Sequence, residues 1–100
     1  MNDTQIDKLL QEIREEQHIS KSEKNETLKV YIKEAEFDIN QAAGTEIEYE
    51  DDLQARSLLK NYVVYARFKK LAEFKQLYGG EYAKLQAKYY ESTNLQWWQV

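Results

Sequence analysis

The sequence predicts an all-α fold: a small helical bundle of about four helices, over residues 3–17, 20–44, 52–79 and 81–91, followed by an apolar C-terminal tail. Three observations predict it. Pro is absent from the 100 residues and Gly occurs only three times, so little in the chain interrupts a helix. Apolar side chains recur at i, i+3, i+4 and i+7, the repeat of one helix face. The residues between those stripes are rich in Lys, Glu, Gln and Ala, which are good helix formers. One hundred residues make one helical unit over 1–91 with a separate segment over 92–100.

The first helix carries Ile6, Leu9, Leu10 and Ile13 on one side, with Asp3 or Thr4 as its cap. Glu15 and Glu16 oppose the dipole at its end, so its last turn is expected to fray. Ser20 with Glu23 fits a capping box for the second helix, and Asn25–Thr27 offers a later start. Leu28, Tyr31, Ile32, Ala35, Ile39, Ala42 and Ala43 form its stripe, and Gly44 is suited to close it. Val30 and Phe37 fall on the opposite face, seven residues apart, where a second chain can meet them. The acidic connection TEIEYEDD alternates Ile47 and Tyr49, a pattern for one short extended segment, and Asp51 or Asp52 caps the next helix.

The third helix changes face. Ala55, Leu58, Leu59, Tyr62, Val63 and Ala66 share one side; Phe68, Leu71, Phe74 and Tyr78 share nearly the opposite side. Such a helix packs on two different partners or breaks near Arg67. Gly79-Gly80 ends or bends it, and Tyr82, Leu85 and Tyr89 stripe the fourth helix, with Ala83, Ala87 and Tyr90 on another of its faces. That helix is one cover for the second side of helix three; a neighbouring subunit is the other. Val30, Phe37, Phe68, Leu71, Phe74 and Tyr78 are therefore the candidate subunit-interface residues. The tail carries Leu95, Trp97, Trp98 and Val100, costly to leave in water. It either folds back on the core or docks into a partner.

Charge is divided along the chain. Residues 1–52 hold six Lys/Arg against fifteen Asp/Glu, a net of −9, and residues 53–100 hold eight against three, a net of +5. The two halves either pack on each other with complementary fields or meet between subunits, acidic half to basic half. With an overall net charge of −4, nucleic-acid binding by the basic half is the weaker alternative. Eight of the thirteen aromatic residues are Tyr, a residue suited to half-wet surfaces.

Catalytic patterns are missing. There is no Cys, and the one His, His18, has no Ser or second ligand at a suggestive spacing. The carboxylates of residues 46–52 lack the EF-hand spacing. No Gly-rich loop precedes a helix. The expectation is a protein that is not an enzyme, with no cofactor and no metal. No apolar run reaches the length of a membrane span, and synthesis in the cytoplasm with no membrane partner is expected.

Taken together, residues 4–91 resemble the small head–tail connector (adaptor) proteins of long-tailed bacteriophages and prophages. The resemblance lies in Ile32, Ala35, Ile39 and Gly44 of LKVYIKEAEFDINQAAG, and in Leu58, Tyr62, Val63, Tyr65, Ala66, Arg67, Phe74 and Tyr78 of the run from Asp52 to Tyr90. It implies a structural virion protein, located at the head–tail interface and made in the bacterial host cytoplasm. Its copies would form a homo-oligomeric ring, typically of about twelve subunits, and a single subunit in isolation is compatible with that. The ring would adapt the capsid portal to the tail or stopper and extend the channel. DNA would pass through without specific binding. The implied partners are the portal protein and a stopper or tail-completion protein, with Leu95, Trp97, Trp98 and Val100 as candidate portal-docking residues, although the tail from Ser92 lies outside the resemblance. Two other functions are open to this sequence: a small helical regulator binding one protein partner, and a small DNA-binding phage protein that presents Lys84, Gln86 and Lys88 from its last helix.

Overall fold

The computed structural model describes the backbone of residues 1–98 and side chains through residue 90. It holds five helices and, among the described residues, no strand: α1 (Asp3–Glu16), α2 (Asn25–Ala43), α3 (Leu53–Arg67), α4 (Leu71–Leu77) and α5 (Gly79–Trp98). The expected helix over 52–79 is two helices, and the last helix runs on to Trp98 instead of ending at 91. The apolar tail from Ser92 thus continues α5 as far as Trp98, and the side chains of Leu95, Trp97, Trp98 and Val100 lie outside the described residues.

The central element is α2, which touches α1, α3 and α5. Its stripe Leu28, Ile32, Ala35, Ile39 and Ala43 is buried, as are Ile6, Leu9, Leu10 and Ile13 of α1 and Ala55, Leu58, Leu59, Tyr62, Val63 and Ala66 of α3. The predicted faces of these three helices meet in one core. Lys29 pairs with Asp7 at 3.0 Å, and the Met1 ammonium pairs with Glu36. These contacts run α1 and α2 antiparallel. Glu23 at the start of α2 pairs with Arg67 at the end of α3, which fixes a second antiparallel pair. Asn40 then anchors the returning loop: its Oδ1 accepts from the Ile47 N–H at 3.2 Å and from the Tyr49 hydroxyl at 2.8 Å. Ile47 and Tyr49 are both buried, so their alternation marks a loop pinned to the core rather than an extended strand.

Helix ends account for the boundary differences. Asn2, not Asp3 or Thr4, caps α1, with Gln5 completing a reciprocal capping box. Ser20 and Glu23 form no box; α2 begins at Asn25 with Lys24 as a cap that makes no side-chain hydrogen bond. Arg14 holds the intervening loop by donating to the carbonyls of Ser20 and Glu23 at 2.9 and 3.0 Å. Three helices end on a left-handed residue whose successor's N–H reaches back five positions. For α2 the residue is Gly44, φ 76°, with the Thr45 N–H on the Asn40 carbonyl at 3.2 Å. For α1 it is His18, φ 50°, with Ile19 on Arg14 at 3.0 Å; for α3 it is Lys69, φ 58°, with Lys70 on Tyr65 at 2.9 Å. His18 thus works as a helix terminator. The break after Arg67, one of the two outcomes the face swap allows, is this Lys69 turn.

Beyond the turn, α4 folds back along α3. Phe74 is fully buried and meets four rings: Tyr62 edge-on at 5.4 Å, Tyr65 at 5.6 Å, Tyr78 stacked at 4.8 Å and Tyr82 edge-on at 6.1 Å. Phe74 of the second apolar side therefore finds its cover inside the chain, from Tyr62 and Tyr65 of α3 and Tyr82 of α5, with Leu71 and Tyr78 half-buried beside it, while Phe68 stays exposed. Gly79 and Gly80 open α5, and only Tyr78 separates it from α4.

Candidate interaction surface

The structure places the six candidate interface residues in two groups. Val30, Phe37 and Phe68 are exposed, at 50%, 68% and 61% of their full surface. Leu71 and Tyr78 are half-buried against the core. Phe74 is a correction: wholly interior, it has no surface for a neighbour, because the Lys69 turn swings α4 back onto Tyr62 and Tyr65. Phe37 lines an open groove of about 380 Å³ with Lys33, Glu34, Asp38 and Tyr62. Val30, Lys33, Glu34 and Phe37 follow the i, i+3, i+4, i+7 rule and share the outer face of α2. Leu53, Leu77 and Tyr90 are also exposed. Leu53 and Leu77 fall outside the stripes of their helices, which is the signal that would have found them. A second open groove, about 560 Å³, lies between the end of α2 and the middle of α5, lined by Ala42, Ala43, Gly44, Ala83, Ala87 and Tyr90. The alternative stripe of the last helix, Ala83–Ala87–Tyr90, forms one wall of it.

Polar side chains tie α5 and α4 to the bundle. Asp38 of α2 accepts from the Tyr82 hydroxyl at 2.6 Å and pairs with Lys75. Asp52 does three jobs. Its Oδ1 caps α3 by accepting from the Ala55 N–H at 3.0 Å, and its Oδ2 accepts from Lys88 Nζ at 2.9 Å and from the Tyr89 hydroxyl at 2.5 Å. Burial by itself would raise the Asp52 pKa; the hydrogen bonds from Tyr89, Lys88 and the Ala55 N–H outweigh it and hold the carboxyl below the ordinary range. Burial and then the bond to Asp52 push the Tyr89 phenol up to about 12. Burial, followed by the bond to Asp38, likewise raises Tyr82. No buried side-chain polar atom among the described residues lacks a partner.

These contacts resolve most of the charge asymmetry. Arg56 reaches Glu12 at 2.7 Å, Lys60 reaches Glu12 and Glu16 at 2.9 Å, and Arg67 grips Glu23 through two bonds of 2.6 and 3.0 Å. With Lys75 on Asp38 and Lys88 on Asp52, five of the eight cations of residues 53–100 pair with carboxylates of residues 1–52. The complementary fields of the two halves are thus met largely within one chain. Among the described residues no group of three or more His, Cys, Asp or Glu side chains is arranged to hold a metal ion. No helix among them is long and apolar enough to cross a membrane.

No protein-family model matches the chain, and neither a curated protein nor a solved structure is significantly similar to it. The reading of the surface therefore rests on its own chemistry: exposed aliphatic and aromatic side chains on α2 and at the α3–α4 corner, set on helices that share one buried core among the described residues.

Proposed function

We propose that the chain is a structural ring subunit of a virion, an adaptor between the capsid portal and the tail or stopper that extends the DNA channel. The observation that carries this reading is the outward display of Val30, Phe37 and Phe68 on a bundle whose described helices bury one shared core. Isolated surface apolar residues are ordinary; two on one line of α2 and a third at a helix corner favour a protein whose work is contact. The resemblance of residues 4–91 to head–tail connectors supplies the kind of contact. The apolar end, Leu95, Trp97, Trp98 and Val100, is the candidate segment for the portal.

The DNA-binding reading is disfavoured by a specific observation. Phosphate affinity comes from Lys and Arg free to displace counterions, and most cations of the basic half are engaged with carboxylates. Lys88, which a reading helix would present, is paired with Asp52. The test of the connector reading is co-purification with the portal protein encoded in the same viral or prophage genome. Retention of the intact chain on that portal, lost on truncation before Leu95, is the expected result. A genome without portal and capsid genes beside this one, or a portal that does not retain the chain, overturns the reading.

A further inference from the structure

Among the charges left over when the internal ion pairs are removed, two clusters lie at opposite ends of α3. Before its first turn, the rim Glu46, Glu48, Glu50 and Asp51 is exposed, beside the exposed Leu53. After its last turn, Lys69 and Lys70 are exposed beside the exposed Phe68. None of these six charged side chains forms an ion pair among the described residues. Lys21 and Lys24 flank Glu23, the partner of Arg67, and add positive charge at the Lys69 end; Glu26 in the first turn of α2 and Glu73 in the first turn of α4 oppose them. Helix α3 has 15 residues, so the two clusters are about 22 Å apart at about 1.5 Å per residue. That exceeds the screening length of about 8 Å at physiological salt. The rim and the corner of one molecule cannot neutralise each other, whereas those of two molecules can. The helix dipole explains the charge in the turn nearest each end, where Asp52 and Arg67 already serve; it explains neither Glu46 and Glu48 nor Lys70.

We propose that the Phe68–Lys70 corner of one copy docks on the acidic rim of a second copy, with Phe68 and Leu53 supplying apolar contact at its centre. The contact joins unlike surfaces, so each copy keeps one free rim and one free corner. Such a contact repeats, closing into a ring or running on as a filament. The occupant follows from charge: the rim is acidic where the corner is basic, and both carry one large exposed apolar side chain. The proposal takes from the connector reading only that copies meet head to tail.

The test uses the full chain alone, by sedimentation equilibrium at high protein concentration in about 10 mM and about 1 M salt, where the screening length falls from about 30 Å to about 3 Å. The wild type is expected to self-associate at low salt and to dissociate at high salt. Lys69→Glu with Lys70→Glu, or Glu48→Lys with Glu50→Lys, should weaken association at least about tenfold while circular dichroism stays native. Mixing the two doubly reversed proteins should restore it, as should all four reversals in one chain. The chain has no Cys, so Glu48→Cys and Lys69→Cys together should give an oxidised ladder of oligomers that neither gives alone. A monomeric wild type at low salt, or failure of the fourfold reversal to restore association, overturns the proposal. Association that follows the lysine reversals but ignores the glutamate reversals also overturns it and assigns the corner to a different acidic partner. If the portal retains the chain and the reversals change nothing, the docking fails and the connector reading stands; the opposite pair of results leaves the docking and removes the connector.

Discussion

Phe74→Ala discriminates most sharply between a self-contained bundle and one that needs a neighbour to cover α4. Phe74 is fully buried, with four aromatic rings within 6.1 Å of its own. Truncating a buried Phe to Ala costs about 3–5 kcal/mol, and the lost ring contacts favour the upper half of that range. A domain of this size holds roughly 5–15 kcal/mol in all, so the variant should lose about a quarter of its stability or more. At about 4–8 °C per kcal/mol the midpoint should fall by roughly 16–40 °C. Urea unfolding of the dilute monomer, followed by far-ultraviolet circular dichroism, reads the change directly. Phe68→Ala, six positions earlier and 61% exposed, is the control. It loses only a cation–π contact with Arg67 at 5.1 Å and should stay within about 0.5–1 kcal/mol of wild type. A Phe74→Ala loss below about 1 kcal/mol would refute the packing argument and return that side of α4 to an intersubunit role.

Other substitutions probe the polar scaffold and the helix ends. Asp52→Ala removes the α3 cap and the acceptor for Lys88 and Tyr89, and thermal denaturation should show a loss of about 1–3 kcal/mol. Lys69→Gly relieves a left-handed residue at φ 58° and should raise stability by about 0.5–1 kcal/mol, the left-handed penalty outweighing the added chain entropy. The Tyr89 phenol, raised to about 12 in the folded chain, stabilises the fold fully below the ordinary phenol value of about 10. That contribution is lost as pH rises through 12, so alkaline unfolding should begin in this window and Tyr89→Phe should blunt it; Tyr49 and Tyr82, also raised, keep part of the response. Asp52, lowered in the fold, acts at the other extreme. Its contribution is present above the ordinary Asp pKa of about 3.9 and disappears as pH falls through the lower folded value.

Helical periodicity made the core of α1, α2 and α3 legible, because each buries one face and the 3.6-residue repeat states which. It also placed Val30 and Phe37 outside, on the face opposite the stripe of α2. The same reasoning misplaced Phe74, since phase along an unbroken helix means nothing once the axis turns. The turn was hard to see because its left-handed residue is Lys69; the two glycines that looked like a stop at 79 and 80 open α5 instead. A Cβ there would meet nothing within 4 Å, so no packing demands glycine at either place. The end of α1 was legible to within a residue, at 17 against Glu16; only its left-handed terminator, His18, was not. The charge split between halves was visible, but its resolution was not. The pairs Glu12–Arg56, Glu23–Arg67 and Asp52–Lys88 join residues 36 to 44 positions apart, and only the fold brings them together. The leftover rim and corner emerge once those pairs are subtracted, which is why the sequence pointed to whole halves rather than to Glu48 and Lys69.

The central claim is that this chain assembles as a ring on a portal. Electron cryo-microscopy of the portal protein from the same genome, incubated with an excess of the full chain, tests it most directly. The account predicts a closed ring of about twelve copies coaxial with the portal, its neighbours joined head to tail. A portal that stays bare, or one that binds single scattered copies with no contact between them, would contradict it.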